Sequence, residues 1–221
     1  MSFRTLNSAL WLSAALLAAP CANAGGAIYK FTDPDGTIVY TNVAPRGPQA
    51  ARARRVEGTF RVAPEATAPA RVTPDTKDRM TPYDPLITEM ALRYKIPPAL
   101  VRAVMHTESA FDPQAVSGVG ASGLMQLMPR TAQEMYVKDI FDVKENIEGG
   151  VRYLRVLANE FDGDMVKMVA AYNAGPDNVR KYDGAIPPFP ETQAYVRKVI
   201  SLYFQYKEQD RLLAQEQARG D

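Results

Sequence analysis

The chain has 221 residues, of which 46% are hydrophobic and 23% charged, ordinary fractions for a globular protein of one or two domains. Lysine plus arginine number 26 against 25 acidic residues, so no basic excess is available to neutralise phosphates and no nucleic-acid partner is expected. One Cys and one His exclude a Cys/His zinc site and an internal disulfide, and a Ser-His-Asp triad would hang on His106 alone.

Residues 1–24 read as a secretory signal peptide. Arg4 precedes a mostly apolar stretch from Ala9 to Ala19, and Ala22-Asn23-Ala24 supplies an A-x-A cleavage site. The apolar run falls short of the roughly 20 residues that a bilayer span needs. An uncleaved anchor and a lipoprotein modified at Cys21 are the alternatives, and Pro20 directly before Cys21 argues against the second. Cleavage would take Cys21, Trp11 and Arg4 away, leaving an exported chain of balanced charge with no transmembrane segment, periplasmic or otherwise extracytoplasmic.

Residues 25–62 are expected to form a small β module. Tyr29 and Phe31 alternate with Lys30 and Thr32, Asp33-Pro34-Asp35-Gly36 is turn chemistry, and Ile38, Val39 and Tyr40 are strand formers, so 27–42 predicts a hairpin. Val56 to Val62 is a candidate third strand. The segment resembles the small β modules in front of some exported enzymes, and it reads as an accessory flap or a glycan contact. From residue 44 the composition turns to Pro, Ala, Arg and Thr, and residues 63–82 are expected to be a linker. Arg46, Arg52, Arg54 and Arg55 read as a solvated cluster or as a weak attraction to an anionic envelope polymer.

Residues 83–206 have helical patterning. Leu86, Ile87, Met90, Ala91 and Tyr94 share one face, and Pro97-Pro98 ends that helix and starts another. Ile147, Val151, Leu154, Leu157, Ala158 and Phe161 form the next stripe, with Asn146 as its expected cap. Asp164 is expected to cap a helix that Gly175-Pro176 closes. A last helix should begin near Pro190 and carry Tyr195, Val199, Leu202 and Tyr206 inward. Residues 207–221 are expected to be a polar, fraying tail.

One carboxylate stands out. At about 100° per residue, Glu108 falls amid the apolar arc of Leu100, Val101, Val104 and Met105, while Arg102 and His106 fall on the other side. An acid on a buried face, near a helix C-terminus, is pushed toward the protonated form, which suits general-acid cleavage of an acetal. It equally suits a structural Glu paired with a nearby Arg. The glycine-rich run Ser117-Gly118-Val119-Gly120-Ala121-Ser122-Gly123, leading into Leu124-Met125-Gln126-Leu127-Met128-Pro129, would let backbone approach a ligand closely and favours the groove reading. Without G-K-[ST] it is not a phosphate loop.

The pieces ESAFDP (108–113), GASGLMQLMP (120–129), NIEGGVRYL (146–154), AYNAGP (171–176) and PETQAYVRKV (190–199) together resemble the Slt-type lytic transglycosylases. The resemblance covers about residues 84–203 and implies a mainly α, goose-type-lysozyme-like catalytic domain acting on peptidoglycan glycan strands. It implies that Glu108 is the sole acid/base, that Ser117 orients the acid or substrate, and that Gly123, Gln126 and Met128 border the groove. Tyr172 and Asn173 would line the cleft, and Tyr195 would face Glu108. Glu108 would protonate the oxygen between N-acetylmuramic acid and N-acetylglucosamine and then deprotonate the muramic 6-hydroxyl, which closes on C1 to leave a 1,6-anhydro end. No metal or cofactor is implied. A hydrolytic muramidase and a non-catalytic peptidoglycan-docking module of an envelope machine are the rivals. A monomer is expected.

Overall fold

The computed structural model describes residues 29–32, 38–41, 47, 50–55, 72–182 and 185–220. It is mainly helical, as expected. Strands β1 (Tyr29–Thr32) and β2 (Ile38–Thr41) pair antiparallel with Phe31 opposite Val39, and a two-residue β3 (Arg54–Arg55) pairs with the other edge of β1. This third pairing falls within the arginine cluster. The strand expected at Val56–Val62 lies outside the described residues, as do the signal peptide and the turn at 33–36.

Helix begins earlier than expected. Helix α1 (Pro74–Met80) and a 3₁₀ turn (Thr81–Tyr83) occupy part of the expected linker. The reason is local: Thr73 accepts a hydrogen bond from the Thr76 N–H, Pro74 sits in the first turn, and Asp75 faces the positive end of the helix. There follow α2 (Asp84–Arg93), α3 (Pro98–Ser109), α4 (Pro129–Glu134), α5 (Val143–Glu160), α6 (Met165–Ala174), α7 (Pro176–Lys181) and α8 (Pro190–Gly220). None of the described helices is long and apolar enough to cross a membrane.

Helix α3 is the axis of the core. Leu100, Val101, Ala103, Val104 and Met105 are fully buried, against α8 on one side and α2 on another. Helix α8 supplies Val196, Val199, Ile200 and Leu202, and α5 supplies Ile147, Val151, Leu154 and Leu157. Burying α3 on nearly every side forces one departure from the helical wheel. Arg102, expected away from the apolar arc, is buried, with Nε donating to Asp84 at 2.7 Å and a terminal nitrogen donating to Asp210 at 2.9 Å. Helix α8 runs through Gly220, over residues expected to be a polar tail, and that second bond ties its extension to the core at Asp210. Asp210→Ala should cost about 1 kcal/mol, discounted because Asp210 is half exposed. The melting temperature should fall by about 2–4 °C.

Two caps differ in how they match expectation. Asp164 does cap α6, accepting from the Lys167 N–H. Helix α5 instead starts one turn before Asn146, capped by Asp142 through the Glu145 N–H. Asn146 therefore lies inside the helix and is buried, free for a different task. Gly175 ends α6 as expected, but Pro176 at once opens the short α7.

Candidate active site

Glu108 is the penultimate residue of α3, and the chain leaves that helix through two left-handed residues, Ala110 (φ 49°) and Phe111 (φ 66°). The buried Phe111 ring anchors this sharp exit. Ser109 fastens it by donating to the Leu124 carbonyl at 2.8 Å. The helix end is thus stitched to the glycine-rich loop, leaving Glu108 half-buried between that loop and α8.

Helix α8 delivers two groups to the acid. The Tyr195 hydroxyl donates to Glu108 Oε1 at 2.5 Å. Lys198, one turn further, directs Nζ at the Thr107 carbonyl, 3.5 Å away. Burial raises the Glu108 carboxyl from 4.5 to about 7, against the opposing pull of the Tyr195 hydrogen bond and the Lys198 charge, with Glu191 adding a smaller upward push. The Arg-paired alternative is not realised among the described residues: none of their arginines is bonded to Glu108, and its hydrogen bond is to a phenol. Burial, and then the Glu108 charge, hold the Tyr172 and Tyr195 phenols well above 10, so both stay protonated donors.

Residues 115–128 fold into a compact loop with bridges Val116–Ser122 and Ser122–Leu127. Asn146 is its organiser. Its Oδ1 accepts from Met125 N at 2.8 Å, and its Nδ2 donates to the Ser122 and Ile140 carbonyls at 3.1 and 2.8 Å. Two glycines of α5 let that helix close on the loop. A Cβ on Gly150 would sit 2.6 Å from the Met125 side chain, and one on Gly149 would sit 2.4 Å from Val137. The N-x-x-G-G pattern therefore supplies one amide clamp and two close approaches.

The remaining expected residues are distributed as follows. Tyr172 donates to the Met125 carbonyl at 2.8 Å, linking α6 to the loop. Asn173 accepts from the Thr192 hydroxyl at 2.7 Å, linking α6 to the start of α8. Gln126 adopts a left-handed backbone (φ 46°), and its Nε2 donates to the Ala115 and Gly123 carbonyls, both at 2.9 Å. Met128 is 41% exposed. Ser117 accepts from the Ala121 N–H and closes its own turn. Gly123 turns its missing side chain inward, toward Asn146 and the Ile140 carbonyl, so the close packing of the loop depends on the absence of a side chain there.

His106 lies off the site. Its Nδ1 meets the Tyr206 hydroxyl at 3.0 Å and its ring packs near Phe111. Burial, then the Lys198 charge, lowers it to about 4, which leaves it neutral at ordinary pH. Among the described residues no cluster of His, Cys, Asp and Glu could hold a metal.

Sequence reasoning does not single out Lys198 or Thr192, and it gives Asn146 a different role. Lys198 was findable, because three residues past Tyr195 it shares a helix face. Asn146 looked like a cap because the stripe begins beside it.

Comparison with known proteins gives two family matches. Residues 85–187 match the transglycosylase SLT domain, and residues 14–76 match a domain of unknown function (DUF4124). The soluble lytic murein transglycosylase of Escherichia coli K12 is 33% identical over 56% of this chain and 23% of its own length. Membrane-bound lytic murein transglycosylase C of Actinobacillus pleuropneumoniae is 37% identical over 47% of this chain and 33% of its own. The transglycosylase of Enterobacteria phage PRD1 is 43% identical over 51% and 40%. The chain thus spans between about a quarter and two fifths of these relatives' lengths. Among solved structures, an inactive variant of lytic transglycosylase Slt from Pseudomonas aeruginosa superposes with a TM-score of 0.54 at 33% identity, over 57% of this chain and 24% of that one. The 70 kDa soluble lytic transglycosylase in complex with bulgecin A gives 0.56 at 30% identity, over 60% and 25%.

Proposed function

We propose, from the premise that residues 85–187 are an Slt-type transglycosylase domain, that this chain cleaves peptidoglycan strands and leaves a 1,6-anhydromuramic acid end. The observation that carries the reading is the Glu108–Tyr195 pair. A half-buried carboxyl near pKa 7, held by a phenol that stays protonated, can give a proton to a glycosidic oxygen and take one back at neutral pH. Most glycosidases use two carboxylates. Here Asp112 is spent on the Gln114 N–H and Asp164 on the α6 cap. A nucleophile already inside the substrate lessens the need for a second acid, because its effective concentration is high.

The supporting groups have chemistry to spare. With Nε2 committed, Gln126 offers Oε1 as an acceptor for a sugar N–H or O–H. With Oδ1 committed, Asn173 offers Nδ2 as a donor for an acetamido carbonyl. Ser117 keeps its hydroxyl proton, and Met128 gives the sugar ring an exposed apolar edge. Tyr172 braces Met125 from behind. The proposal includes export with the signal peptide removed, action outside the cytoplasm as a monomer, and an envelope machine as a partner. It also includes a β module over 25–62 as an accessory flap, supported by the β1–β2 pairing and the family match over 14–76.

Product analysis of digested sacculi by mass spectrometry tests the reading. Anhydro ends are expected, whereas reducing ends would make the enzyme a muramidase. The acid's surroundings give a second test. Tyr195→Phe and Lys198→Met each remove an influence that lowers the Glu108 pKa, so the falling alkaline limb of the rate profile should move to higher pH. Tyr195→Phe should also slow turnover about tenfold, the worth of one hydrogen bond to a charged group. A limb that stayed in place in both variants would show that Glu108 is not the titrating acid.

A further inference from the structure

Tyr136, just after α4, has a left-handed backbone (φ 60°) and is 81% exposed. Left-handed backbone is costly for a bulky side chain, and a glycine would satisfy this turn without strain and without exposing a ring to water. Backbone geometry does not account for a tyrosine here. The ring is nevertheless held from one side. The Arg152 guanidinium lies 5.7 Å from its centroid and is itself fixed by Glu148 at 3.0 Å, by the Tyr94 hydroxyl at 3.0 Å and by the Met135 carbonyl. Beside it opens a hollow of about 600 Å³, lined also by Ser122, Pro129, Gln133, Lys138 and Asp139.

We propose that this hollow is an outlying glycan subsite in which Tyr136 stacks against the apolar face of an amino-sugar ring. The inference rests on the peptidoglycan reading above. Its occupant follows from continuity. Ser122 and Pro129 line the hollow and flank Gln126 and Met128 in the chain, so one loop borders both the hollow and the candidate cleft. A polymeric substrate does not end at the bond being cut, and a strand leaving the cleft over Met128–Pro129 would meet the hollow next. An aromatic ring offers an amphipathic sugar a flat apolar platform, while Gln133, Lys138 and Asp139 provide polar groups for its hydroxyls.

Binding measured on full-length Glu108→Gln protein separates this proposal from catalysis. Purified glycan strands of increasing length serve as the probe, and isothermal titration calorimetry reads the affinity. Adding Tyr136→Ala should weaken long-strand binding about three- to tenfold, the scale of one aromatic contact, and flatten the gain in affinity with length. Tyr136→Phe should restore both. Tyr136→Gly should bind as weakly as Tyr136→Ala while melting higher than the parent, which excludes misfolding as the cause. Unchanged long-strand affinity in Tyr136→Ala, or failure of Tyr136→Phe to restore it, overturns the subsite. Failure of the peptidoglycan-cleavage reading would show elsewhere, as sacculi from which wild-type protein releases no anhydro ends.

Discussion

Glu108→Gln should reduce the release of anhydro ends from sacculi by at least about a thousandfold, within the range general acid–base groups contribute. The amide can still accept the Tyr195 hydroxyl through its carbonyl oxygen, so the site should keep its shape while losing its transferable proton. Wild-type kcat/KM should fall as pH rises through about 7, because the free enzyme must carry the proton it donates and Glu108 loses it there. Stability has the same sign. The folded pKa of about 7 lies above the ordinary 4.5, so the stabilisation from protonated Glu108 is complete below 4.5 and is lost as pH rises through 7. Glu108→Gln carries no such charge and should melt progressively higher than wild type across that window. A variant-minus-wild-type difference in melting temperature that is the same at pH 4 and pH 8 would mean that Glu108 is not desolvated. An undiminished product yield would show that Glu108 is not the acid that cuts the strand.

Gly123→Ala is the second large effect expected, and it acts on the scaffold. Gly123 sits at φ 78°, where an L side chain is strained. Its Cβ would lie 2.3 Å from Asn146 Nδ2 and 2.7 Å from the Ile140 carbonyl. The second of these is backbone and cannot swing aside, while moving Asn146 would break its bonds to Met125, Ser122 and Ile140. Strain and overpacking together should cost about 3 kcal/mol, a fall in melting temperature of roughly 6–12 °C. Activity should drop even in molecules that remain folded, because the same loop carries Gln126 and braces the end of α3 through Ser109. A Gly123→Ala protein with wild-type melting and turnover would show that the loop is not pinned in this way. Thermal melts paired with rate measurements decide the matter.

Short-range features were legible in the sequence because they repeat at the helical period. The apolar arc of α3 identifies Glu108 as an acid on a buried face without reference to any partner. Asp164 before an apolar run, and proline at helix starts, mark boundaries through local hydrogen bonding. The five motifs in register carry the resemblance that singles out Tyr172 and Tyr195. The misreadings share a cause. Asn146 resembles a cap in the sequence because capping and buried clamping place the same residue beside the same stripe, and only the position of Asp142 separates them. The polarity of residues 207–221 suggests a tail and hides the tie from Asp210 to Arg102, 108 positions away.

What the sequence determined by itself was the helical character of the domain, a carboxyl on the apolar face of one helix, and the glycine-rich loop that follows it. Tertiary structure alone decided which groups set that carboxyl's proton affinity, which way Gly123 faces, that Arg102 is buried, and that Tyr136 stands exposed over a hollow. The physical reason is distance along the chain. Periodicity records contacts three or four residues apart, whereas Tyr195 reaches Glu108 across 87 residues, and a contact of that span leaves no periodic trace in either segment.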